Sequence, residues 1–319
     1  MTRRTTPAPD SGAGTPVLIT GCSSGIGRAT ALRLHGAGRA VYATARRPET
    51  LRDLAAAGIR TLQLDVTDED SMATAVAKVE AEHGAVGALV NSAGYALSGA
   101  VESASPEAVR AQFETNVFGL VRLTQLVLPA MRARGAGTVV NVSSIFGRYA
   151  VPGGGFYHAT KHAVEALSDA LRLEAAPFGV RVVLVEPGPV RTTEFGAKFA
   201  GQLGDGGSGG TDRTGAQGGD DGPYGAFHRQ LADYFDAIYT GGRRTLAGTF
   251  AIQADDVAAV VAKALRAPRP RSRYTVGFLA RSTIAFRRLA PDVIFDNLFV
   301  RRQFPVPRAP GRPQQGDHR

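Results

Sequence analysis

The 319-residue chain holds a single cysteine, Cys22. One thiol cannot close an intrachain disulfide, so a cytoplasmic setting is expected. Cys22 itself reads as a small filler rather than a reactive group. No apolar run approaches the roughly twenty residues needed to span a bilayer. The opening stretch MTRRTTPAPDSGAG lacks an apolar core, so residues 1–14 read as a disordered tail and not as a signal peptide. No internal repeat is evident. The net charge of +9 has no counterpart in the main body of the chain. From Arg266 to Arg319 there are 12 arginines and 3 aspartates, while the preceding 265 residues hold 25 basic and 25 acidic groups. A neutral body with a basic end does not support nucleic-acid binding by the main domain. His158 and His162 stand four apart, but no H-E-x-x-H pattern or third ligand accompanies them, so no metal is expected.

Strand-like and helix-like patterns alternate through the first two-thirds of the chain. VLIT, AVYATA, TLQLDV, ALVNSAG, GTVVNVSS and VRVVLVEPG read as strands. Helical periodicity separates them, as over 68–82, 109–132 and 157–176. Such alternation predicts an α/β fold with a doubly wound parallel sheet, covered on both faces and binding ligands at the carboxyl ends of its strands. We expect a single domain over 15–279. The segment 201–222, nearly half glycine, reads as a flexible insertion near the substrate loop. Residues 280–319 form a basic C-terminal extension, with a helix over 292–303 whose acid and arginine ends match its dipole.

Between the first strand and the first helix lies TGCSSGIG, with Gly21, Gly25 and Gly27. A glycine loop opening a helix lets backbone amides approach a pyrophosphate, but glycines alone are as well read as an ordinary turn. A second pattern is YHATK. Residues four apart share a helix face, so Lys161 falls beside Tyr157. A free tyrosine ionises near pH 10, and a neighbouring ammonium is expected to lower that value and make a usable proton donor and acceptor.

Taken together, TGCSSGIG followed in order by NSAG, NVSS, YHATK and PGPVRT resembles the short-chain dehydrogenase/reductase family, from about residue 16 to 278. The resemblance implies a Rossmann fold and a catalytic set of Asn116, Ser144, Tyr157 and Lys161. Ser144 would hold the substrate oxygen, Tyr157 transfer the proton, Lys161 tune it and grip the ribose, and Asn116 position a relay water. Ser143 reads as structural. For the cofactor it implies Gly21, Ser23, Ser24, Gly25, Ile26 and Gly27 at the pyrophosphate and Asp65 and Val66 at the adenine. It further implies Asn91, Ala93 and Gly94 beside the loop, and Pro187, Gly188, Val190 and Thr192 at the nicotinamide. NSAG departs from the family's commoner NNAG, although Ser92 keeps a small polar side chain. No acid ends the second strand; Thr44 and Ala45 are followed by Arg46 and Arg47. A guanidinium clamps a 2′-phosphate that an acid would repel, so the expected cofactor is NADP(H), with Arg46 its main phosphate ligand.

The implied function is NADP(H)-dependent interconversion of a secondary alcohol and a ketone. Looser similarity to the 17β-hydroxysteroid and retinol dehydrogenase branch implies a bulky apolar substrate. The alternatives are a β-ketoacyl reductase acting on a carrier-linked or small substrate, and a nucleotide-sensing protein without turnover. A homodimer or homotetramer is expected through the helices over 109–132 and 157–176. In the extension, Phe278, Leu279, Ile284, Phe286, Leu289, Ile294, Phe295, Leu298 and Phe299 are apolar. They read either as packing against the body or as walls of the substrate entrance resting weakly on an anionic membrane surface.

Overall fold

The computed structural model describes residues 15–191, 222–239 and 245–307. The tail over 1–14, all but the last residue of the glycine-rich stretch, and Thr192 lie outside the described residues. The strands are β1 (Val17–Ile19), β2 (Val41–Ala45), β3 (Arg60–Gln63), β4 (Ala88–Asn91), β5 (Gly137–Val142), β6 (Val180–Pro187), β7 (Val190–Arg191), β8 (Ile252–Gln253) and β9 (Arg273–Val276). Seven of them pair in parallel in the order β3-β2-β1-β4-β5-β6-β9. The order reverses between β1 and β4, where Val17 pairs both Val41 and Ala88. That reversal opens the crevice in which doubly wound sheets bind ligands.

The sheet is buried on both sides, so its central strands are continuous apolar runs whose alternate residues serve opposite cores. Val17, Ile19, Val41, Ala43, Val183 and Val185 belong to one core. Their neighbours Leu18, Tyr42 and Val182 belong to the other. The first core is roofed by α1 (Gly25–Gly36) and by α9 (Ala254–Arg266), the second by α3 (Glu69–His83) and α5 (Gly119–Arg134). Between α1 and α3 lies the short α2 (Arg52–Ala56). The segment leading into α5 is α4 (Pro106–Phe113) followed by a π turn, Glu114–Phe118, that was not legible in the periodicity. Helix α6 (Gly155–Ala175) carries the tyrosine–lysine pair.

Beyond the sheet, α7 (Gly225–Tyr239) and α8 (Leu246–Thr249) precede α9, and α10 (Phe278–Leu289) follows β9. The expected terminal helix is present as three consecutive helical stretches: Asp292–Phe295, a π turn Asp296–Val300, and Arg301–Gln303. This extension builds a third core. Ala280, Ile284, Phe295 and Val300 bury themselves against Ile145, Tyr149 and Val151 of the loop between β5 and α6. The extension thus packs against the body, and its Phe299 and Phe304 also line a cavity there. Ile294 and Leu298, expected beside Phe295 on one apolar side, are instead exposed. Phe295 and Val300 are the residues that turn inward.

Candidate active site

A cavity of about 780 Å³ runs from the glycine loop to the C-terminal extension. At its first end, β1 stops at Ile19 and the chain turns into α1 through Gly21 at φ +72. A Cβ at Gly27 would lie 2.4 Å from the Gly21 carbonyl oxygen, so only glycine lets the helix start this close to the strand. Thr20 Oγ1 accepts from the amides of Ser92 and Ala93, both at 3.0 Å, and clamps the loop after β4 against the glycine turn. Sequence reasoning missed that role of Thr20, although the residue opens the loop motif. Ser24 caps α1 in extended conformation, its side chain makes no cap hydrogen bond, and the first turn carries no acid. The first amides of α1 are thus free of a competing side chain at the cavity wall. This is the arrangement that receives a phosphate.

Gly21, Ser23, Ser24, Gly25, Ile26 and Gly27 line this end, as do Arg46, Asp65 and Val66. Asp65 Oδ1 accepts from the Thr67 amide at 2.9 Å and the Thr67 hydroxyl at 2.8 Å, which fixes its carboxylate at the wall. Ala93, Gly94, Pro187, Gly188 and Val190 line the middle. A dinucleotide fits these residues.

Two expected site residues are not brought to the wall. Asn91 is buried and donates to Thr124 Oγ1 at 3.1 Å and Asn141 Oδ1 at 2.9 Å. Its side chain ties β4 to β5 and α5, so a direct cofactor contact through it is corrected to a structural one. Asn116 lies in the π turn behind Gly94, and its side chain is spoken for. Its Nδ2 donates to the Tyr95 carbonyl at 2.8 Å and Thr160 Oγ1 at 3.1 Å, while its Oδ1 accepts from the Tyr95 amide at 3.1 Å. Any water held by Asn116 next to the lysine therefore falls to its main chain.

Ser144, Tyr157 and Lys161 do share the cavity. The end of β5 delivers Ser144, whose Oγ accepts from the Phe146 amide at 3.2 Å and also meets the Tyr157 phenol. One turn of α6 separates Tyr157 from Lys161, and Nζ stands 5.7 Å from the ring centroid. The expected lowering of the phenol by the ammonium is not what dominates. Burial pushes Tyr157 up to about 12, and the force drawing it back down is the Ser144 hydrogen bond. The ammonium points elsewhere, donating to the Val142 carbonyl at 2.9 Å. Burial also lowers Lys161 to about 8, against the upward pull of Glu165.

Glu165, one further turn along α6, is a site residue that the motif did not reveal. Its carboxylate accepts from Arg273 Nε at 3.0 Å and faces Arg148 Nη1 at 3.6 Å. The buried Glu186 joins both arginines and accepts from Thr275 Oγ1 at 2.7 Å. Asp169 pairs with Arg273 as well. This network fastens α6, β6, β9 and the turn after Ser144 to one another beneath the reacting groups. Ser143 lies against Glu165 within it, in keeping with a structural role.

Of the histidines flanking the pair, His162 is exposed and His158 is buried in the packing. His158 stacks on Phe146 at 4.4 Å and accepts the Val151 amide on Nδ1 at 3.3 Å, and burial lowers it to about 3. Cys22 is fully buried beneath the glycine loop, its thiol raised to about 12 by burial, which suits a filler. The far end of the cavity is walled by Phe146, Tyr149, Tyr234, Leu279, Phe299 and Phe304. Half of these come from α10 and the terminal segment, which local pattern alone could not bring to the site.

A doubly wound sheet with a phosphate-ready glycine turn and a Ser–Tyr–Lys set across its switch point defines a class: oxidoreductases that interconvert alcohol and carbonyl groups with a nicotinamide dinucleotide. The comparisons with known proteins narrow the class. The family model of short chain dehydrogenases matches residues 15–202, and the chain belongs to that family. It is 33% identical over 298 residues to retinol dehydrogenase 8 of Bos taurus, covering 89% of this chain and 88% of that protein. It is 44% identical over 177 residues to 3-ketodihydrosphingosine reductase of Bacteroides thetaiotaomicron, a match spanning 55% of this chain and 64% of that reductase. A short-chain dehydrogenase from Streptomyces avermitilis superposes with TM-score 0.70 at 34% identity, over 91% of this chain and 96% of that one. Serine dehydrogenase complexed with NADP+ superposes with TM-score 0.67 at 28% identity, over 83% and 95%.

Proposed function

We propose that this protein is an NADP(H)-dependent oxidoreductase that interconverts a bulky apolar secondary alcohol and its ketone. One observation carries the reading: the phosphate-ready glycine turn, the Ser144–Tyr157–Lys161 set and an aromatic chamber line one continuous cavity. When bound, the nicotinamide accepts or supplies the hydride. The chain's own residues do the rest. Ser144 and the neutral Tyr157 phenol hydrogen-bond the substrate oxygen, and Tyr157 gives or takes its proton. Lys161 holds positive charge beside the phenol, and Asn116 serves the proton relay through its main chain. Lining by Phe146, Phe299 and Phe304 favours an apolar substrate body over a charged one.

Arg46 at the wall, with no acid ending β2, supports a 2′-phosphate ligand. Arg46→Ala is expected to weaken NADPH selectively, by the ~1.5–3 kcal/mol of a charged hydrogen bond, or roughly tenfold to a hundredfold. Following NADPH and NADH oxidation against ketones of graded size tests cofactor and substrate class together. A wild-type preference for NADH, or for small polar ketones, refutes the reading. The aromatic lining favours an apolar ketone, and the intact Ser–Tyr–Lys set favours turnover over silent nucleotide sensing.

Exposed Leu167 and Leu173 on α6 and Phe118 before α5 support self-association through these helices. A monomer by light scattering at micromolar concentration counts against it. Exposed Leu289, Val293 and Leu298, set among Arg288, Arg301 and Arg302, support a weak peripheral contact of the extension with anionic lipid.

A further inference from the structure

Proton transfer at Tyr157 leaves the opposite end of the chamber unexplained, and that end carries two phenols. Tyr149 is 4% exposed, with its ring clamped edge-on by three others. Phe146 lies at 5.5 Å, Phe295 at 5.4 Å and Phe299 at 5.9 Å. Tyr234 reaches in from α7 and meets Phe304 in a tilted ring contact at 5.4 Å. Phe304 in turn contacts Phe146 at 6.4 Å, and Phe146 contacts Tyr157 at 6.5 Å. The two phenols therefore stand one or two rings beyond the reacting tyrosine, along a single aromatic wall.

Both hydroxyls belong to residues lining the cavity, and neither has a hydrogen-bond partner among the described residues. Tyr42, as deeply buried, spends its hydroxyl on Glu82 and Arg60. A phenol largely withdrawn from water normally finds a partner, so Tyr149, buried, and Tyr234, partly buried, leave binding capacity facing the chamber. Burial raises both far above the ordinary tyrosine range and keeps both neutral, and one run of rings joins them along the wall: Tyr149 meets Phe299 at 5.9 Å, Phe299 meets Phe304 at 5.9 Å, and Phe304 meets Tyr234 at 5.4 Å. Among the described residues, the cations lining the cavity are Arg46, at the glycine-loop end, and Lys161, in the catalytic set. An anionic group at the phenols would meet no counter-charge from the described residues, whereas a neutral oxygen needs none.

We propose that Tyr149 and Tyr234 form a second binding point, which hydrogen-bonds a neutral hydroxyl or carbonyl oxygen at the far end of an otherwise apolar substrate. The proposal rests on the reading of the cavity as an alcohol–ketone site and specifies its substrate further: an apolar skeleton with oxygen at both ends. One oxygen reacts at Tyr157 and the other is held.

The test uses matched ketones differing only in the distal oxygen. One pair is cyclohexanone bearing a para-phenyl or a para-hydroxyphenyl group; the other is androstanone with or without a hydroxyl on the ring far from the ketone. Each is assayed for turnover with NADPH and for binding by calorimetry on the full chain. The expected result is that wild type prefers the hydroxylated member by about tenfold or more in kcat/KM, carried by KM. Tyr149→Phe and Tyr234→Phe should each remove most of that preference and leave the unhydroxylated ketone within about twofold of wild type. The double variant should lose little more than either alone, because both hydroxyls serve one oxygen. Equal losses on both members of a pair would mean that the phenols only pack. A preference unchanged in both variants, or absent in wild type, would mean that they hold water only, and either result overturns the proposal. Calorimetry separates this from the underlying reading. Tighter binding of the hydroxylated member, lost in Tyr234→Phe, supports the binding point even if no ketone is turned over, an outcome that would refute the oxidoreductase function alone.

Discussion

Replacing Glu165 with glutamine removes one charge from beneath the active site while keeping the shape of the side chain. Glu165 is 5% exposed and is held by Arg273 at 3.0 Å and Arg148 at 3.6 Å. Removing one partner of a buried ion pair costs ~3–5 kcal/mol, because the remaining charge is left without compensation. Here the lower end applies. Arg273 keeps Glu186 and Asp169, and Arg148 keeps Glu186, so neither guanidinium is stranded. A loss of about 3 kcal/mol in equilibrium urea unfolding is therefore expected. The second consequence is kinetic. Lys161 is protonated below its value of about 8 and neutral above it, so kcat/KM for ketone reduction falls as pH rises through that region. Glu165 pulls Lys161 upward. Without that charge the falling limb moves to lower pH, while purely structural damage lowers kcat/KM at every pH and leaves the limb in place. A stability loss under about 1 kcal/mol together with an unshifted limb would refute the reasoning.

The remaining expectations concern the reacting pair and the extension. Tyr157→Phe removes the proton donor but not the ring, so turnover should vanish while NADPH affinity by fluorescence titration changes little; wild-type rates would exclude Tyr157 from catalysis. Lys161→Ala should damage both, since in the proposed function the same ammonium would serve the phenol and the cofactor ribose. Truncation after Gly277 removes Phe295 and Val300 from the core built on Ile145, Tyr149 and Val151. It should therefore lower the thermal midpoint as well as abolish binding to anionic vesicles in a sedimentation assay. A truncated chain of undiminished stability would show that this core contributes nothing, and unchanged vesicle binding would remove the extension as the lipid contact.

Short-range pattern was enough to read much of this protein. The run Val180–Pro187 is buried on both faces, so it had to be a central parallel strand, and its alternate residues divide between two cores without outside help. Spacing alone put Tyr157 and Lys161 on one face of α6, and glycines at 21 and 27 announced a turn that tolerates no side chain. All of these follow from backbone geometry within a few residues.

Long-range packing decided the rest. Asn91 belongs to a motif beside the cofactor loop, yet the partners that turn it inward, Thr124 and Asn141, come from other elements. Spacing indicated that a lysine neighbours the phenol, but not that its ammonium would point to Val142 or that burial would outweigh its charge. The helix over 292–303 was legible in its charges. Which of its sides faces inward was not, because Phe295 and Ile294 are equally apolar and only the shape of the loop after β5 distinguishes them. A chamber wall assembled from residues 146, 149, 234, 279, 299 and 304 has no local signature at all, since its contacts exist only once β9 has paired with β6 and carried the extension back over the site.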